Sequence, residues 1–252
     1  MTLRDYFQPA GQQQALEQYS KFACDKDWSI EEKIRLYNAS NRAFNPTTPD
    51  PKAFDEVYNI LRGWQAFRGV AVNLCWSPQK IFDTFRNEFS EFAWGGCVAL
   101  PNFVGSGKED DLLIKLPKMR EIKPNQQYPV VAVSKFLHGY NPSLFPVYDN
   151  GVIWEQVFRR FKNEFREFCR TSNVVCDLGF TPLFLRNYVS WASSLLASAH
   201  PKFMETFVDW LNKQPGGQLA RNFDALTLYA TAFEFAAIGA AKSENTPIAT
   251  VA

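Results

Sequence analysis

Three dipeptides set the architecture of this chain: Asp50-Pro51, Ser77-Pro78 and Thr181-Pro182. In each, a side-chain oxygen suited to capping precedes a proline whose fixed φ and missing N–H suit the first turn of a helix. Apolar residues at helical spacing follow every one: Phe54, Val57, Leu61 and Trp64; Ile81, Phe82, Phe85 and Phe89; Leu185, Val189 and Leu196. Ser29-Ile30-Glu31-Glu32 reads as a capping box ahead of Ile34 and Tyr37. Phe203, Phe207, Trp210 and Leu211 form a further stripe after Pro201. The run Ala225 to Ala241 is apolar all round except for Glu234, and reads as a buried core helix. Strand alternation is missing, apart from a short hairpin allowed between Trp94 and Phe103. The fold class expected is therefore all-α, with about ten helices.

At 252 residues, the chain can form one compact domain over 1–242, or two closely packed lobes, with a frayed tail over 243–252. Aromatic residues make up 15%, including 23 Phe, and most of them must be core. A net charge of +1 excludes a uniformly basic nucleic-acid binder but permits a local basic face. The five cysteines, widely spaced, and the opening Met1-Thr2-Leu3-Arg4-Asp5, which carries no apolar leader, predict reduced thiols in a cytoplasmic protein. Cys169 and Cys176 have the spacing that opens one iron–sulfur pattern, but no further cysteine follows to complete it. With two histidines, His138 and His200, a histidine-rich metal site is excluded. No cofactor, metal or membrane is called for.

Chemistry is concentrated between Val133 and Val152. A helix carrying Ser134, Lys135 and His138 ends near Gly139, and Asn141-Pro142 makes a turn. Leu144-Phe145-Pro146-Val147-Tyr148 then runs extended into Asp149, where the next helix, Gly151 to Arg170, begins. Asp149 can serve as its N-cap. It can equally hold an ionised carboxylate at the mouth of a cleft, since one oxygen can cap while the other faces outward. Lys135 has three readings: a Schiff-base nucleophile, a phosphate ligand, or a solvated charge. His138 could contact a phosphate or be a buried, hydrogen-bonded imidazole. Beyond Asp149, Arg159, Lys162, Arg166 and Arg170 recur at three- and four-residue steps, as a phosphate-neutralising stripe or a solvated face. Trp64 could stack on a base or belong to the core.

The Lys-bearing helix, the turn and the lead-in Phe145-Pro146-Val147 to Asp149, with Val152 after it, resemble the catalytic stretch of the helix-hairpin-helix DNA glycosylase superfamily. They are also similar to a set of bacterial proteins sharing S-K-x-L-H … P-x-L-F-P-x-[WY]-D-x-x-V. Three features depart from the glycosylase pattern, one being a Lys135-to-Asp149 spacing shorter than in members whose lysine attacks the sugar. Tyr148 is an additional residue before the aspartate, and Lys123 to Pro129 occupies the place of the glycine-rich hairpin.

The resemblance implies a two-lobed helical fold that flips a damaged or modified base from double-stranded DNA and hydrolyses its N-glycosidic bond. Asp149 would stabilise the oxocarbenium ion and activate water, with Lys135 beside it. Lys135, His138, Arg159, Lys162 and Arg166 would bind DNA, and Trp64, Tyr148 and Asn150 would line the base pocket. The protein would act as a monomer, in base excision or in defence against phage DNA with altered bases. The competing expectation is a non-catalytic nucleic-acid or protein interaction module, with Asp149 as a helix cap only.

Overall fold

Each of the three proline signals starts a helix. Asp50 accepts from the Lys52 amide at 2.9 Å, Ser77 from Lys80 at 3.2 Å and Thr181 from Phe184 at 3.1 Å, so one otherwise orphaned N–H is satisfied at every start. The computed structural model describes residues 1–25, 30–45, 47–64, 76–93, 98–122, 128–214 and 228–243. Among them are ten α-helices and no strand. The first five are α1 (Pro9–Asp25), α2 (Ile30–Ala43), α3 (Pro51–Gly63), α4 (Pro78–Glu88) and α5 (Lys108–Lys115). The second five are α6 (Val130–Tyr140), α7 (Arg159–Thr171), α8 (Pro182–Ala197), α9 (Phe203–Asn212) and α10 (Tyr229–Lys242).

Three local expectations change. Within the hairpin expected from Trp94 to Phe103, Leu100–Asn102 is a 3-10 turn, and residues 94–97 lie outside the described residues. Of the capping box at the start of α2, Ser29 lies outside them too, while the Glu32 carboxylate accepts from the Trp64 indole N–H at 2.7 Å. Of the tail expected to fray from Ser243 on, Ser243 is buried and its hydroxyl donates to the Gly239 carbonyl at 2.9 Å, while 244–252 lie outside the described residues.

α10 sits at the centre, and from Ala230 to Ala241 every residue is buried. A helix apolar on all sides must be covered on all sides, and α1, α8, α9 and the segment after Asp149 provide the cover. The contact with α1 is the closest. A Cβ on Gly239 would stand 1.8 Å from the Ala15 carbonyl oxygen, so only hydrogen at this position lets the two backbones meet. Aromatic rings fill much of the remaining interior: Tyr19, Phe207, Trp210 and Phe235 pack between α1, α9 and α10, and two further clusters lie elsewhere. Phe44, Phe54, Phe82, Phe85 and Tyr140 pack between α2, α3, α4 and α6. Tyr148, Trp154, Phe158, Phe165, Phe184, Tyr188 and Trp191 pack between α8 and the helix after Asp149. No described helix is long and apolar enough to cross a membrane.

Candidate functional site

The extended lead-in to Asp149 pairs with no strand among the described residues, yet it is buried at Leu144, Phe145 and Tyr148. Its backbone groups must therefore find side chains. The Phe145 carbonyl meets His138 Nδ1 at 2.7 Å. The Val147 amide donates to Glu234 Oε1 at 2.6 Å, and the Val147 carbonyl accepts from the Tyr188 hydroxyl at 3.0 Å. Ser134 takes both groups of Tyr148: its Oγ donates to the carbonyl at 2.9 Å and accepts from the amide at 3.1 Å. Ser134 and His138 can share this task because residues four apart lie on one face of a helix. Before the lead-in, Asn141 fixes the turn by donating to the Phe92 carbonyl at 2.8 Å while accepting from the Ser143 amide at 3.1 Å.

Asp149 emerges from this clamp with its two oxygens on separate duties. Oδ1 accepts from the Val152 amide at 2.9 Å, and Oδ2 stands 3.3 Å from Lys135 Nζ. The same ammonium donates to the Trp64 carbonyl at 2.7 Å. The Asp149 side chain is 27% exposed and that of Lys135 only 6%, so the pair is closed on the lysine side and open on the carboxylate side. The helix that begins here is not the continuous α-helix expected from Gly151 to Arg170. Asn150–Phe158 is a π-helix, opened by the Trp154 amide on the Asp149 carbonyl at 2.9 Å, and α7 continues from Arg159. Such widened turns are rare and recur at functional sites.

Glu234 and Lys33 complete the centre. Glu234 is 4% exposed, and its Oε2 pairs with Lys33 at 2.7 Å. Lys33 Nζ also lies 5.3 Å from the Trp64 ring centroid. Burial outweighs the pull of the Glu234 carboxylate on His138 and lowers the imidazole to about 4, leaving it neutral. Neither Glu234 nor Lys33 was among the expected site residues. The signal was present in the sequence: a lone carboxylate within the apolar run Ala225 to Ala241 must have a buried partner.

The structure thus brings Asp149, Lys135 and Trp64 together, and it corrects several expected roles. His138 is fully buried and engaged with the lead-in, so it offers nothing to a phosphate; the buried-imidazole reading holds. Lys135 is committed to Asp149 and Trp64 beneath the surface, and is neither a solvated charge nor placed as a phosphate ligand. Tyr148 is fully buried among Phe158, Phe184 and Tyr188, and cannot stack on a base where it stands. Burial, then the charges of Asp149 and Glu155, push its phenol pKa far up.

Asn150 is exposed at the helix start, and Trp64 is half-buried. In the basic stripe, Arg159 and Arg166 are exposed and Lys162 is half-buried, but a kink at Phe161 (φ −107°, ψ 18°) breaks the line between Arg159 and the others. Arg170 is held by Glu167. Arg160, not singled out in the sequence, donates to the Ala240 carbonyl at 2.7 Å at the C-terminus of α10, where a cation is favoured.

Among the described residues no group of His, Cys, Asp or Glu could hold a metal ion. One open cavity of about 360 Å³ is lined by Ser77, Gln79, Lys80, Asp83, Thr84, Asn87 and Glu88 on and before α4, and by none of the expected site residues. Comparisons with protein-family models, curated proteins and solved structures found no match to this chain.

Proposed function

We propose that the protein is a DNA N-glycosylase that hydrolyses the bond between deoxyribose and a flipped, damaged or modified base, with Asp149 as its catalytic carboxylate. One observation carries the reading: Asp149 is a part-exposed carboxylate at a helix N-terminus, held by Val152 and Lys135, at the end of a lead-in whose polar backbone groups are clamped by α6, α8 and α10. Electrostatic catalysis needs a charge fixed before the reaction begins, so that no reorganisation is required as the oxocarbenium ion develops. In this scheme Asp149 faces the sugar and orients the water that attacks C1′; the base departs with the electron pair of the glycosidic bond. Lys135 holds Asp149 in place. Its engagement with Asp149 and the Trp64 carbonyl favours hydrolysis over Schiff-base chemistry, which needs a free amine in bonding reach of the sugar. A helix-hairpin-helix-like lobe and duplex DNA as substrate belong to the same proposal, supported by the motif and by the exposed Arg159 and Arg166.

A specific observation favours a second reading. Both Asp149 oxygens already have partners, which suits a helix cap in a non-catalytic interaction module. Asp149→Asn separates the two. Asn is nearly equal to Asp at an N-cap, so a pure cap loses little stability. Loss of the negative charge lowers release of free base by about a hundredfold or more. The assay follows base release and alkali-labile sites in DNA carrying a panel of modified bases, with thermal melting as the folding control. Full activity in the variant refutes the catalytic role, and a wild type inactive on the whole panel favours the interaction module.

A further inference from the structure

The C-terminus of α7 folds back on itself. Asn173 adopts a left-handed conformation (φ 53°), its amide bonds the Arg170 carbonyl at 3.2 Å, and the Val174 amide bonds the Cys169 carbonyl at 2.9 Å. This double bond pattern is a Schellman closure, with Asn in the position usually taken by glycine. It returns the chain to the level of Cys169 two residues before Cys176. From the other side, Asn187 of α8 donates to the Val175 carbonyl at 2.9 Å and fixes the returning segment. The result is two free thiols near enough to influence one another and of opposite accessibility: Cys169 is buried and Cys176 exposed.

We propose that Cys169 and Cys176 form a reversible disulfide when the protein meets a hydroperoxide, with Cys176 as the attacking thiol and Cys169 as the resolving one. This inference is independent of the catalytic role of Asp149. Only Cys176 can be reached from solvent. Its thiolate attacks a peroxide oxygen; an S–O bond forms, the O–O bond breaks, and the departing oxygen leaves as water when the oxidant is hydrogen peroxide. Cys169 then attacks the sulfenic sulfur of Cys176. The S–S bond forms, the S–O bond breaks, and the hydroxyl leaves as a second water with the Cys169 proton. Two electrons pass from the thiol pair to the peroxide.

The surroundings of Cys169 fit the resolving role. Burial pushes its thiol up to about 12, and the charge and hydrogen bond of Cys176 add to this, while Arg186 works the other way. Before oxidation Cys169 is therefore a poor nucleophile. Once Cys176 is a neutral sulfenic acid its charge no longer opposes ionisation of Cys169, and the favourable effect of Arg186 remains. The Arg186 guanidinium donates to Asn187 at 2.9 Å and pairs with Asp110 at 3.3 Å, while its buried Nε has no hydrogen-bond partner. The loop that becomes tethered ends at Phe180, a bulky residue held at φ 57° against Trp154 and Tyr148, at ring-centroid distances of 4.9 and 6.1 Å.

Trypsin reads the bond directly. Cleavage after Arg166, Arg170 and Arg186 puts Cys169 and Cys176 in separate peptides, Glu167–Arg170 and Thr171–Arg186. The wild-type protein is treated with hydrogen peroxide, alkylated with iodoacetamide under denaturing conditions, and digested without reductant. The expected product is one species lighter by two hydrogens than the two peptides together, and dithiothreitol splits it. In Cys176→Ser, Cys169 stays alkylatable; in Cys169→Ala, dimedone labels Cys176. Recovery of both peptides fully alkylated after peroxide overturns the proposal. So does a bond from Cys176 to Cys24, Cys75 or Cys97, or dimedone labelling of Cys169 in Cys176→Ser.

Discussion

His138 makes the stability of this protein depend on pH in a way that can be isolated. Its Nδ1 lies 2.7 Å from the Phe145 carbonyl, so Nδ1 carries the proton and the neutral ring keeps its lone pair on Nε2, which has no partner. Burial is the largest influence on the ring and Lys33 acts with it; Glu234 and the Phe145 bond oppose them, and the imidazole ends at about 4 against an ordinary 6.5. The unfolded chain thus binds a proton that the folded chain refuses. Stability is fully present above about pH 6.5, falls as the pH drops towards 4, and changes no further below that on account of this group. The difference of about 2.5 pKa units corresponds to roughly 3 kcal/mol.

The perturbation that tests this is His138→Asn, whose side-chain amide can occupy the place of Nδ1 and donate to Phe145 without titrating. The variant is less stable at neutral pH because ring volume is lost from the core. The informative quantity is the gap between wild type and variant, because the acid sensitivity of all other groups cancels in it. Urea unfolding at intervals from pH 7.5 to 4 reads that gap, which should shrink by about 3 kcal/mol. A gap that stays constant over the range refutes the buried neutral imidazole, and with it the account of how the Asp149 lead-in is held.

Three further outcomes are expected. Gly239→Ala places a methyl 1.8 Å from the Ala15 carbonyl, and forcing α1 away from α10 costs about 3 kcal/mol, seen as a fall in Tm of roughly 6–12 °C; an unchanged melt disproves the close crossing. Replacing Arg159, Lys162 and Arg166 together by alanine weakens binding to any duplex and makes its log–log salt dependence shallower by about two to three; identical affinity and slope across a salt titration remove this face from the proposal. Borohydride treatment of wild type with cleavable DNA traps no covalent adduct, because Lys135 is engaged with Asp149 and Trp64, and an adduct lost in Lys135→Met makes that lysine a nucleophile instead.

What the sequence made legible was local in origin. A cap followed by proline acts within one turn, so Asp50, Ser77 and Thr181 announced α3, α4 and α8. The 3-10 turn Leu3–Phe7 carried only a short local signal, Thr2 with Asp5 three residues on, and part of its support comes from far along the chain: the Leu3 amide donates to Glu164, at 3.0 and 2.8 Å to its two oxygens. The π-helix after Asp149 was missed for a related reason. Trp154, Val157, Phe158 and Phe161 fit an α-helical stripe well enough, and the widened turn shows only in the bond from the Trp154 amide to the Asp149 carbonyl.

The candidate site divides along the same line. Asp149, Lys135 and Trp64 were legible as neighbours in chemistry, but the burial of His138 and Tyr148 is a tertiary property that no local pattern carries. One question would have reached it from sequence: an extended apolar segment with no strand partner must bond its amides and carbonyls to something. The polar residues with helical phase towards Phe145–Tyr148 are Ser134 and His138, and the one carboxylate stranded in an apolar helix is Glu234. Asking where the backbone hydrogen bonds go assigns those three side chains to the lead-in before any ligand is considered. Asp149 is then left as the carboxylate in this neighbourhood that still faces solvent.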